Sequence, residues 1–78
     1  MDMQTWRDSR SRAENATQAL REALVAIGLP QCVQEHPRPM VTHSGMPFVH
    51  VGMLKAEYVE QIADALCVAA EARSLRTA

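Results

Sequence analysis

Residues 40–53 read Met-Val-Thr-His-Ser-Gly-Met-Pro-Phe-Val-His-Val-Gly-Met, and the class of the fold turns on them. Met40 to His43 and Phe48 to Met53 alternate in polarity and are rich in Val and Thr. Ser44-Gly45 between them supplies the glycine that a short hairpin loop needs in the left-handed region. Pro47 stands at the entry to the second run, where its missing N–H is tolerable. A two-stranded antiparallel hairpin is therefore predicted over 40–53. Successive strand side chains point to opposite faces, so Val41, Val49, Val51 and Met53 are expected on one face and Met40, Thr42, Phe48 and His50 on the other. Both faces carry large apolar groups.

On the N-terminal side, Trp6, Ala13, Ala16, Leu20, Ala23, Leu24 and Ile27 gather within roughly 100° when wound as a helix, the seam of an amphipathic element. Gly28 followed by Leu29-Pro30 marks its end. Thr5-x-x-Asp8 and Ser11-x-x-Glu14 both have capping spacing, and the earlier start predicts a helix over 5–28 with 1–5 as a tail. Residues 29–39 hold three prolines and no period, and so are predicted to be a connector. Beyond the hairpin a second helix is predicted over 55–74. Its apolar arc runs from Ala72 through Ile62, Leu66, Val59, Ala63 and Ala70 to Cys67 and covers roughly 200°, wider than one packed face needs. Val68 falls outside that arc, beside Glu57, Gln61 and Asp64. The fold class expected is α+β: one small domain over 1–78, helix–β-hairpin–helix (αββα), with the hairpin packed on two helices and completed by dimerisation.

The chain has 78 residues, with 8 Lys+Arg against 9 Asp+Glu and a net charge of −1. Near-neutrality provides no general field to attract nucleic acid or acidic lipid, so any such binding must be local. Of the 47% hydrophobic residues 12 are Ala and two are Cys, which leaves 23 large side chains for a core. That is a thin supply for a domain whose folding margin is of the order of 4–12 kcal/mol, and oligomerisation is the simplest remedy. The apolar runs Ala23–Ile27 and Ala65–Ala70 are too short to span a bilayer, and Met1–Thr5 lacks the cationic and apolar regions of a signal peptide. Two cysteines without a CxxC pair match neither a secreted disulfide framework nor a zinc ribbon. The expectation is a cytoplasmic protein with no membrane partner. Seven Arg to one Lys, with abundant Ala, is the bias of a GC-rich bacterial genome.

Cys32, His36, His43 and His50 are residue types that ligate metals, but their spacing matches no zinc motif, and regular pleating points His43 and His50 to opposite faces. Neither Cys32 with His36 nor Ser44 with His43 lies in a context that activates a nucleophile. Cys67 reads as a small buried hydrophobe at the edge of the second helix's core face. P-loop, GxGxxG, HExxH and EF-hand patterns are lacking. No catalytic residue, metal or cofactor is assigned, and the chain is not expected to be an enzyme.

What the sequence leaves over is apolar surface. A two-stranded hairpin is marginal in water, and once its first face is covered the second still exposes Met40 and Phe48. A second copy of the chain is expected to cover them, through Met40, Phe48 and His50 with Val68 from the broad second helix. The alternative cover is Trp6 or the 29–39 connector of the same chain. The function expected is a non-catalytic interaction or regulatory module acting as a homodimer, with a further protein partner unspecified. The competing reading is an auxiliary nucleic-acid-binding protein using Arg7, Arg10 and Arg21 on one flank of the first helix, with Glu14, Asp8 and Glu22 close by to oppose it. Glu57, Glu60, Asp64 and Glu71 form an outer acidic stripe on the second helix and read as a solvated face.

Overall fold

Three helices and a hairpin follow one another in the computed structural model, which describes residues 2–77: α1 (Met3–Ala26), α2 (Gln31–Gln34), β1 (Arg38–Val41), β2 (Pro47–His50) and α3 (Ala56–Thr77). The α+β class and the antiparallel hairpin are as the sequence predicts; the expected order αββα gains a short extra helix, α2, and the hairpin packs mainly on α1 rather than on two helices.

Asp2 rather than Thr5 begins α1. Its carboxylate accepts the Thr5 N–H at 2.7 Å, so Met3 to Thr5, expected in a tail, are helical; Met1 lies outside the described residues. At the other end Gly28 takes φ +83°, its N–H donates to Val25 O at 3.0 Å, and the Leu29 N–H donates to Leu24 O at 3.1 Å. This is a Schellman closure, and it folds Leu29 back onto Leu24, where both are buried. The expected connector contains one helical turn, α2. Four residues are too few to show a period, but Pro30 supplies its first carbonyl acceptor, to Val33 and Gln34, and Val33 anchors it at 2% exposure. Leu24, Leu29 and Val33 form the main core, and Leu20, Leu54, Tyr58 and Ile62 pack against it.

Across α1 lies the hairpin, with register Arg38↔His50, Pro39↔Val49, Met40↔Phe48 and Val41↔Pro47. The inward residues Pro39, Val41, Pro47 and Val49 are half-buried, and Ala13 and Thr17 are the buried α1 residues at this level. Small side chains let the strands approach the helix closely. Thr17 turns its hydroxyl onto its own helix, donating to Ala13 O at 2.7 Å. The turn closes through Gly45 N–H to Thr42 O at 2.9 Å, with Gly45 at φ +88°, and Ser9 of α1 donates to the Gly45 carbonyl.

Several boundaries differ from expectation. β1 begins two residues earlier, at Arg38, and ends at Val41 rather than His43 because the turn closed on Thr42 already takes Thr42 and His43. α3 runs on to Thr77, past the expected end at 74, and β2 ends at His50 because Gly52 turns the chain at φ +76°. Val51 and Met53 are therefore not on the inner face; Met53 is 91% exposed. The chain is a thin, open body of 43 × 35 × 17 Å with a radius of gyration of 15.2 Å. A compact chain of this length would have about 11.5 Å. Among the described residues, α3 packs on the main core near its start, through Tyr58 and Ile62, and most of its remaining side chains are exposed.

Candidate interaction surface

The hairpin's outer face carries Arg38 and Met40 from β1 and Phe48 and His50 from β2, with Thr42 just past the end of β1 beside them. Met40 and Phe48 stand directly opposite each other, 49% and 52% exposed, in a groove of about 290 Å³ shared with Thr42 and His50. Three of the residues expected at an interface thus form one patch. Trp6 and residues 29–39, the intramolecular alternative, leave Met40 and Phe48 about half exposed: α1 packs on the other face, Trp6 is itself exposed, and Cys32, Glu35 and His36 come near only the Arg38–His50 end. Positive charge borders the patch. Arg38 faces His50 across the ladder, and Arg12 of α1 lies beside Phe48. Arg38 was not singled out from the sequence, because its two flanking prolines put it in the connector; strand parity carried back two residues from Met40 places it on this face.

The hairpin's edges are a different matter. Residue pairs in an antiparallel ladder alternate between hydrogen-bonded and non-hydrogen-bonded sites. Thr42 N–H donates to Met46 O at 3.0 Å, so Met40↔Phe48 and Arg38↔His50 are the bonded pairs, and the residues of Pro39↔Val49 and Val41↔Pro47 point their backbones outward. Each free edge therefore has a proline at one of its two outward donor positions. Prolines there blunt an edge against pairing with another strand.

Val68 stands apart from the patch, on α3, and is exposed. So is Cys67, contrary to its expected burial, because the core contact of α3 ends before this turn. Wound at 100° per residue, Val59, Ala63, Leu66 and Ala70 form a stripe with Cys67 on its flank and Glu60, Glu71 and Asp64 next to that. All are exposed, Leu66 at 66%. The second half of α3 thus has an apolar face that is exposed among the described residues.

Of the sulfur and imidazole groups, Cys32, His36 and His50 line one cleft beside Gly52, while His43 sits in the turn at the other end of the hairpin. His36 Nδ1 is 3.3 Å from the Val51 carbonyl, which accepts from it in the Nδ1–H tautomer. Among the described residues no three His, Cys, Asp or Glu groups are placed to hold a metal ion. The arginines of the nucleic-acid reading are separated in role. Arg10 Nε donates to Glu14 at 2.8 Å, Arg21 Nη2 donates to the Pro37 carbonyl at 2.8 Å and is half-buried, and Arg7 is exposed. No described helix is long and apolar enough to cross a membrane.

No family model, no curated protein and no solved structure matches this chain.

Proposed function

We propose that the protein is a non-catalytic interaction or regulatory module that works as a homodimer, with Met40, Phe48 and His50 at the centre of the contact. The observation that carries this reading is the uncovered pair Met40 and Phe48 on a hairpin whose other face is already packed on α1. A flat apolar face with a charged border is a common anatomy for a protein contact. Extended, open shape supports the same conclusion. The chain exposes 6116 Å², whereas a folded monomer of 8.6 kDa typically exposes about 4,700 Å². The excess, about 1,400 Å², is within the area that one partner buries in an obligate dimer. The nucleic-acid reading has less support, since Arg10 and Arg21 already serve Glu14 and Pro37.

Sedimentation equilibrium at micromolar protein tests the proposal. The expected species has twice the 8.6 kDa chain mass, and Phe48→Asp converts it to the single-chain mass with the helical circular dichroism retained. A wild-type protein that sediments as one chain overturns the reading.

A further inference from the structure

We infer that the dimer forms by reciprocal arm exchange: the Val59, Ala63, Leu66, Ala70 stripe of α3 in each copy lies on the Met40–Phe48 face of the other. The inference rests on the homodimer proposed above and adds which surfaces meet.

Three arrangements bring two copies together, and the observations separate them. Pairing hairpins edge to edge would extend the sheet, but Pro39 and Pro47 remove an outward donor from each edge. Stacking hairpins face to face would bring two faces that both carry arginine at their borders into one contact with no acidic flank to meet them. It would also leave the α3 stripe exposed. Arm exchange covers both apolar surfaces at once, and it pairs charge with opposite charge. On α3 the acidic Glu60, Asp64 and Glu71 run along one side of the apolar stripe, beyond Cys67, with Arg73 on its other side; on the hairpin Arg38, with Glu35 close by, and Arg12 border the apolar pair. The acidic flank of α3 and the two arginines beside the hairpin pair have opposite sign.

Geometry permits the reach. A helix rises about 1.5 Å per residue, so the 22 residues of α3 extend about 33 Å, and its half-buried residues among those described, Tyr58, Ile62 and Ala65, lie in its first half. A two-fold axis makes the contact occur twice, since what the first copy's arm meets on the second, the second copy's arm meets on the first. The acidic stripe, which reads from sequence as a solvated face, thereby acquires a partner. Val68 lies on the opposite side of α3 from Leu66 and falls outside this contact.

Cysteine placement supplies the test, because Cys67 sits on the flank of the α3 stripe and Thr42 on the outer hairpin face. One chain carries Cys32→Ser and keeps Cys67. The other carries Cys32→Ser, Cys67→Ser and Thr42→Cys. Mixed and treated with a short bismaleimide, the two are expected to give a 42–67 bridge, which must join different chains. Adding Phe48→Asp to the second chain should abolish the bridge, whereas a chance collision product would survive. Leu66→Glu is expected to raise the dimer dissociation constant about 30-fold or more, with Val68→Glu changing it little. Dimers that give only 42–42 or only 67–67 bridges, or that respond to Val68→Glu and not to Leu66→Glu, overturn arm exchange while leaving the homodimer in place. A single-chain mass in sedimentation overturns both.

Discussion

Gly28 holds the most consequential backbone position in the chain. At φ +83° it allows Leu29 to return to Leu24, and without that reversal neither α2 nor the core beneath it has its place. A Cβ at Gly28 meets nothing within 4 Å, so the cost of Gly28→Ala is the left-handed conformation alone, about 1–2 kcal/mol. Urea unfolding measures it; a change near zero would mean that the helix ends by some other closure. Asp2 acts at the opposite end of α1. Its hydrogen bond from the Thr5 N–H holds its carboxyl below the usual 3.8. A carboxyl lowered in the folded state contributes stability that is present above its unfolded value and is lost as the pH falls through the folded one. The first turn of α1 should therefore fray as the pH drops below 3.8, seen as faster exchange of the Thr5 amide, and Asp2→Ala should show fast exchange without that acid step. An acid step that persists in Asp2→Ala would assign it elsewhere. Arg21 shows how residue type can mislead. From sequence it is one of three cations on a helix flank, yet it fastens α1 to the Pro37 carbonyl, with its buried Nε lacking a hydrogen-bond partner among the described residues.

Among the elements, the hairpin was the most legible. Parity from Met40 to His50 places Val41 and Val49 inward and Met40, Thr42, Phe48 and His50 outward, and the alternating burial of the two strands has that split, with Thr42 just past the end of β1. Its limits were less so. Arg38 and Pro39 belong to β1 because an edge strand tolerates proline, and Val51 and Met53 leave β2 because Gly52 turns the chain. The short α2 carried no readable period, and its helicity depends on Val33 finding the core. Prolines 39 and 47 give this element a testable property. Pro39→Val with Pro47→Val restores an outward N–H on both edges while keeping an apolar inner side chain. The double variant should form species larger than the dimer by light scattering; an unchanged distribution would show that the edges are protected by something other than proline. α3 is legible as a helix, but how little of it the chain itself covers was not. Its roughly 200° apolar arc signals more than one contact without saying which side meets the chain's own core.

At the scale of the whole molecule, a thin core and an open shape imply that folding and association are linked. When only the folded chain dimerises, dilution lowers apparent stability by mass action. The midpoint of thermal unfolding should rise with protein concentration in the wild type and become independent of it in Phe48→Asp. A midpoint that ignores concentration in both would describe a self-sufficient monomer. Local order, in the stop at Gly28, the hairpin parity and the period of α3, was determined by the sequence alone, because turn chemistry and periodicity act between residues close along the chain, although the cap at Asp2 was read three residues late, at Thr5. Which surfaces remain bare was decided by the tertiary structure. Whether Trp6 or residues 29–39 cross the hairpin, whether Arg21 is a tether or a free charge, and where α3 parts from the core all depend on contacts between segments far apart in sequence, and no local pattern encodes those distances.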